Sequence, residues 1–145
     1  MSNAKYPVKI LDAPSDLAVM VEAQLLHALR SDLPQGHNES FVLSAEDPQG
    51  VVIGGLVAST SYGWLLTKCL WVAEARRGQG VGLSLMAGAE EKAREIGCHG
   101  AWLDTSSPKA MNFYSKLGYT SFGQLTNSDA QYPPFHRRWF MSKLL

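Results

Sequence analysis

Arg76-Arg77-Gly78-Gln79-Gly80-Val81-Gly82 is the stretch on which the reading of this chain turns. It follows an apolar run, Leu70-Trp71-Val72, that reads as the end of a strand. It precedes an amphipathic segment, Leu83 to Ile96, that reads as a helix. Strand, glycine-rich turn and helix in that order aim unpaired backbone N–H groups at one point. The aligned peptide dipoles add partial positive charge there. Glycine has no Cβ to keep a ligand away from the backbone. With two arginines at its mouth, the loop is expected to clamp a diphosphate. A nucleoside triphosphatase loop would carry Lys-Ser or Lys-Thr after its last glycine, whereas Leu83-Ser84 follows Gly82. A dinucleotide fold would place Gly-x-Gly-x-x-Gly near the first strand, whereas this loop reads Gly78-x-Gly80-x-Gly82 in mid-chain. An ordinary strand–helix turn is the plainest alternative.

A second segment narrows the choice. Ala101 to Thr105 reads as a short strand, and Ser106-Ser107-Pro108 is a helix start with proline inside the first turn. The helix then runs from Lys109 to Leu117 and stops at Gly118, where a left-handed residue is wanted. Arg77-x-x-Gly80-x-Gly82 resembles the acetyl-CoA loop of the GNAT N-acetyltransferase superfamily. Phe113-Tyr114-Ser115-Lys116-Leu117-Gly118-Tyr119 resembles that superfamily's Phe-Tyr-x-Lys-Leu-Gly-Phe/Tyr signature. Both motifs stand in the family's order and at a family-like separation. The resemblance covers the chain from Phe41 to its C-terminus.

The resemblance implies an α/β, single-domain GNAT-like fold: a mixed, mostly antiparallel sheet with a central parallel strand pair, flanked by helices. It implies an acetyl-CoA-dependent N-acetyltransferase that moves acetyl to a primary amine by direct transfer in a ternary complex, with no metal. The cosubstrate site would comprise Arg77, Gly78, Gln79, Gly80, Val81 and Gly82 around the pyrophosphate. Leu70, Trp71 and Val72 would supply backbone partners to the acetyl and pantetheine groups, or simply pack the core. Arg76 reads equally well as a solvated charge. Tyr114 occupies the place of the family tyrosine that faces the CoA sulfur. A phenol is protonated at neutral pH and can donate to a nascent thiolate. Lys116 would reach the CoA phosphates or stay exposed. Many members carry an asparagine seven residues before the tyrosine; here that place is Ser107, which could donate a hydrogen bond or cap the helix.

The general base stays open. Trp64 to Val72 holds no acidic residue where many relatives carry a glutamate. Asp104 matches an acidic position used by some relatives and could also be an end-of-strand cap. His136 brings an imidazole suited to proton transfer at neutral pH to the start of the last strand. A water chain without a dedicated base is a further route. The acceptor pocket is expected to draw on the first loop, the Tyr62 turn, Thr105 and the loop from Thr126 to His136. Its candidates are His37, Asn38, Tyr62, Trp64, Tyr132 and His136. The short segment before Phe41 lacks room for the second helix of many relatives, leaving a cleft suited to a bulky or peptide amine.

Composition bounds the rest. The 145 residues suit one domain, with 46% apolar and 18% charged residues. Met1-Ser2-Asn3-Ala4 reads as a cloning remnant outside a single domain of residues 5–145. Net charge is zero, which argues against a nucleic-acid or membrane-surface partner. No apolar run is long enough for a transmembrane span, and no signal peptide is visible, so a cytoplasmic location is expected. Cys69 and Cys98 make no metal spacing and read as reduced, mostly buried thiols. The expected partner is a small-molecule or peptide amine; a homodimer through the last strands would suit the fold.

The remaining elements follow from periodicity. Strands are expected at Tyr6 to Leu11, Phe41 to Ala45, Val51 to Thr60, Trp64 to Val72, Tyr119 to Leu125 and Arg137 to Leu144. A first helix should run from Leu17 to about Arg30. Trp64 to Val72 is apolar on nearly every residue, so both faces should be buried. The helix after the loop should bury Leu83, Met86, Ala87, Glu90, Ala93 and Ile96. The portion from Trp64 to Thr105 demands a parallel, right-handed crossover. Two alternatives to an acetyltransferase remain: an acyltransferase using a longer acyl-CoA, and a CoA-binding sensor or partner-binding module without turnover.

Overall fold

The computed structural model describes residues 7–145. Met1-Ser2-Asn3-Ala4 and Tyr6 therefore lie outside the described residues. The chain divides after Pro34 into two compact units. The first carries helix α1, Leu17–Asp32. The strand expected from Tyr6 to Leu11 does not form over residues 7–11. Alternation specifies a strand only where a neighbour pairs with it, and Pro7 brings no N–H to a ladder.

The second unit is a sheet with two helices. Its elements are β1 Ser40–Glu46, β2 Val52–Ser61, β3 Trp64–Val72, α2 Val81–Ile96, β4 Gly100–Thr105, α3 Pro108–Lys116, β5 Thr120–Thr126 and β6 Arg137–Leu144. The sheet is six-stranded in the order β1-β2-β3-β4-β6-β5. Every pairing is antiparallel except β3 with β4. The α2 crossover makes that pair parallel, as a strand–helix–strand unit must. The mixed α/β architecture is the one expected. No helix among the described residues is long and apolar enough to cross a membrane.

Local chemistry sets the joints. Asp47 closes the β1–β2 turn by accepting from the N–H groups of Gln49 and Val51, both at 2.9 Å. Tyr62 and Gly63 both have positive φ, 54° and 79°, the backbone of a two-residue hairpin whose twist matches its strands. Ser107 caps α3, its hydroxyl accepting from the Ala110 N–H at 3.1 Å, with Pro108 following.

The core lies between the helices and one sheet face. Leu85, Met86, Ala89 and Ala93 of α2 meet Leu56, Ala58, Leu65, Ala101, Leu103 and Met141, and Tyr114, Tyr119 and Trp139 extend the cluster. Gly54 allows the approach: a Cβ there would lie 3.1 Å from Val81 Cγ1 and 3.2 Å from Leu85 Cδ1. The α2 stripe differs from the expected one. Leu83 and Ala87 are exposed, while Leu85 and Ala89 are buried beside Met86, Glu90 and Ala93. The buried stripe is rotated by about one residue, setting Leu85, Met86, Ala89 and Ala93 against the sheet. The second half of β3 also departs from expectation, with Lys68, Cys69 and Trp71 exposed. An apolar run cannot by itself distinguish a doubly covered strand from a singly covered one.

Candidate active site

The pairing between β3 and β4 is short. It runs from Trp64 opposite Gly100 to Leu66 opposite Trp102 and ends there. β3 continues to Val72, held on its other side by β2 as far as Gly54. The register with β2 slips between Val57 and Ala58, which face Cys69 and Thr67, so Lys68 is an inserted residue. Such a bulge bends and twists its strand. Among the described residues the edge of β3 toward β4 has no ladder partner from Thr67 to Val72, and the main-chain groups on that edge, apart from the Val72 carbonyl that Arg77 takes, are open to a ligand. Leu70, Trp71 and Val72 lie on this stretch.

The glycine loop begins where that edge ends. Glu74–Arg76 form one 3-10 turn, and the chain passes through left-handed Gly78 and Gly80, with φ of 76° and 85°. Gly80 is the N-cap of α2 and brings no side-chain cap. The first helical bond is from the Ser84 N–H to the Gly80 carbonyl at 3.0 Å. The N–H groups of Val81, Gly82 and Leu83 precede it and have no helical acceptor. A Cβ added at Gly78 or Gly80 would meet nothing within 4 Å, so the loop is open beside this helix end. That combination fits an anionic diphosphate.

The two arginines are held differently. Arg77 donates from Nε to the Val72 carbonyl at 3.0 Å, tying the loop to the end of β3. Arg76 turns away to Asp47, Nη2 to Oδ2 at 3.5 Å. Gln79 donates to the Ala75 carbonyl at 3.3 Å, within the loop.

β4, α3 and β6 bring the second group of residues to the same end of the sheet. Tyr114 is buried on α3, its ring edge-on to Phe113 at 5.3 Å and to Tyr119 at 5.9 Å. Burial raises its hydroxyl above the ordinary phenol value, which keeps it a proton donor at neutral pH. Asp104 is engaged: its Oδ1 accepts from Arg138 Nη2 at 2.8 Å and Nε at 2.9 Å. His136 Nε2 lies 3.3 Å from Ser106 Oγ. The β4–β6 register, with Thr105 opposite Trp139, creates both contacts. Ser107 is occupied as the α3 cap, and Lys116 is exposed at the helix end.

Several expected acceptor residues are not brought there. Tyr62 and Trp64 sit at the start of β3, about 25 Å from its loop end at the rise of an extended strand. Trp64 packs against His99 at 5.2 Å. His37 and Asn38 stay at that far end, where Thr60 Oγ1 donates to the His37 carbonyl at 3.2 Å and Asn38 bonds Gln35. Strand direction decides this, and the sequence order of the residues hides it. Conversely, residue-by-residue reading overlooked Ser106 and Arg138, which partner the two candidate bases. Their signal was available: Ser106 and Asp104 leave one strand end, and Arg138 and His136 enter the next.

The comparisons with known proteins bear on this arrangement. The acetyltransferase (GNAT) family model matches residues 10–119. An acetyltransferase of Agrobacterium fabrum is 50% identical over 74 residues, 51% of this chain and 54% of that protein; the match thus spans about half of that relative's length. A blasticidin-S acetyltransferase of Streptomyces morookaense is 38% identical over 97 residues, 66% of this chain and 68% of that protein. The solved structure of an acetyltransferase from Bacillus cereus superposes with a TM-score of 0.82 at 27% identity, covering 95% of this chain and 98% of that one. The matched span takes in the splayed strands, the glycine loop and the whole of α3, and the chain belongs to the acetyltransferase (GNAT) family.

Proposed function

We propose that this protein is an acetyl-CoA-dependent N-acetyltransferase acting on a primary amine by direct transfer. The observation that carries the reading is the bare N-terminus of α2, opened by left-handed Gly78 and Gly80 at the unpaired edge of β3. The N–H groups of the loop and first helical turn hold the pyrophosphate, with Arg77 closing the turn. The main-chain groups along Leu70 to Val72 that β2 and Arg77 leave unpaired bond the pantetheine arm and polarise the thioester carbonyl. Ser107 and Lys116 flank the cosubstrate from α3.

His136, with Ser106 beside it, takes the proton that the acceptor ammonium must lose before it can attack. Asp104 holds Arg138 at the rim of the same end. As the new C–N bond forms and the C–S bond breaks, Tyr114 gives its hydroxyl proton to the departing CoA thiolate, the new amide nitrogen loses its extra proton to solvent, and Tyr114 regains one from solvent. The acceptor enters between the β4 and β6 ends and the loop of residues 127–136. The blasticidin-S acetyltransferase among the relatives makes blasticidin S the first acceptor to try. The chemistry belongs in the cytoplasm, where acetyl-CoA is available.

The test is CoA release from acetyl-CoA over a panel of amines that includes blasticidin S, with Tyr114→Phe alongside. Turnover on one amine class, reduced in the variant by about 100-fold or more, is the expected outcome. Absence of both CoA release and thermal stabilisation by acetyl-CoA would overturn the reading. Stabilisation without turnover would leave a CoA-binding sensor, and a preference for longer thioesters would make it a different acyltransferase.

A further inference from the structure

Glu90 is a carboxylate on the core side of α2, only 5% exposed. Its partner is Lys143 of β6, which meets Glu90 Oε1 through Nζ. Lys143 reaches a second element as well. Its Nζ donates to the carbonyl of Leu117, just past the end of α3, at 2.8 Å. It lies 5.6 Å from the centre of the Tyr119 ring. Its methylene stem passes Gly118, where an added Cβ would be 3.8 Å from both Cδ and Cε.

The same turn closes on Tyr114. The Leu117 and Tyr119 N–H groups both return to the Tyr114 carbonyl, at 3.0 and 3.1 Å. The Tyr119 ring then meets the Tyr114 ring edge-on. One ammonium thus links α2, β6 and the turn that ends α3, and that turn grips Tyr114 by both its carbonyl and its ring. Packing alone does not call for charge here, since apolar residues of similar volume often replace a largely buried ion pair without loss of stability. Charge supplies direction instead: an ammonium fixed by a carboxylate can cap a helix-end carbonyl in one orientation.

We propose that the Glu90–Lys143 pair is a positioning device for Tyr114, with Glu90 holding the Lys143 ammonium on Leu117 so that the closing turn of α3 sets the Tyr114 phenol. The inference rests on the reading of Tyr114 as the proton donor to CoA. The pair touches no substrate, and its effect passes through Tyr114.

The experiment uses the full chain with 13C at tyrosine Cζ and acetyl-CoA present, the Tyr114 resonance being assigned by its loss in Tyr114→Phe. In Glu90→Gln/Lys143→Met, which removes both charges together, that resonance is expected to shift and broaden while that of exposed Tyr132 stays in place. With an amine that turns over, kcat should fall by about tenfold while KM for acetyl-CoA stays within about twofold. In a Tyr114→Phe background the same double change should cost less than about twofold. Lys143→Arg, which keeps a cation at Leu117, should retain most of kcat, and Glu90→Gln alone gives the resonance readout if the double variant does not fold. An unmoved Tyr114 resonance, or an equal loss of kcat with and without the Tyr114 hydroxyl, would overturn the proposal. Wild-type turnover in Tyr114→Phe would instead overturn the proton-donor reading, leaving the resonance alone to judge the positioning.

Discussion

Arg77 reaches back across its own turn, its Nε donating to the carbonyl of Val72 at 3.0 Å. The guanidinium therefore locks the glycine loop to the end of β3 while leaving its remaining N–H groups for a ligand. Arg77→Ala removes lock and charge together, and the dissociation constant for acetyl-CoA should rise by about tenfold, or ~1.4 kcal/mol. Arg77→Lys keeps the charge without the planar fork and should recover only part of the affinity. Isothermal calorimetry decides it. An unchanged constant in the alanine variant would remove Arg77 from the site.

Gly80 offers a cleaner comparison, because another glycine in the chain carries the same strain without the same position. Gly80 has φ of 85° and Gly50, in the β1–β2 turn, has φ of 79°. Neither would place a Cβ within 4 Å of anything. Alanine at either position should cost about 1–2 kcal/mol from the left-handed backbone alone. Only Gly80 caps the free N–H end of α2, where a changed backbone redirects those donors. Thermal melts with and without acetyl-CoA should show both variants destabilised, with ligand-induced stabilisation lost in Gly80→Ala and kept in Gly50→Ala. Equal stabilisation in both would mean that the phosphate does not sit at this helix end.

The contrast shows what one chain of letters could convey. The glycine loop and α3 were legible because their signals are local: a positive-φ glycine, a Ser-Pro start and an apolar period each act within a few residues. The shape of the site was not. The splay of β3 from β4 depends on a register that ends at Leu66 and on the insertion at Lys68; both express pairing between distant segments. Glu90 was placed on the buried face by periodicity, but its partner Lys143 lies 53 positions further on. Tyr62, Trp64, His37 and Asn38 read as acceptor residues by type, and strand direction carried them to the opposite end of the sheet.

Tyr119 carries a buried hydroxyl that lies near the Glu90 carboxylate without a hydrogen bond of good geometry. Deleting it in Tyr119→Phe should leave stability at pH 7 unchanged or raise it by about 1 kcal/mol, since an unpaired buried polar group is itself unfavourable. Burial first, then the Glu90 carboxylate, pushes the Tyr119 phenol up, and burial also raises that of Tyr114. Above the ordinary value of 10.0, the unfolded chain therefore releases protons that the folded chain keeps. Stability from these groups is fully present below that pH and falls as pH rises, by at most about 1.4 kcal/mol per pH unit for each tyrosine. Chemical denaturation at pH 9 to 11 should show a shallower loss in Tyr119→Phe than in wild type. A fall of several degrees in melting temperature at pH 7 would instead mean that the hydroxyl is bonded, to Glu90 or through water.

His136 and Ser106 make the sharpest claim about the acceptor half. Their 3.3 Å contact holds the imidazole at the loop end of the sheet, whereas the Asp104 carboxylate already serves two guanidinium donors of Arg138. If His136 takes the amine proton, His136→Gln should lower kcat/KM for the amine by about 100-fold or more, with acetyl-CoA affinity unchanged. Ser106→Ala, which only frees the ring to turn, should cost less, on the order of threefold to tenfold. Asp104→Asn loosens Arg138 and should act mainly on KM for the amine, because a carboxylate already committed to a guanidinium orients rather than accepts. The reverse ranking, with Asp104→Asn abolishing turnover and His136→Gln nearly silent, would transfer the base to Asp104 and leave the imidazole a rim residue.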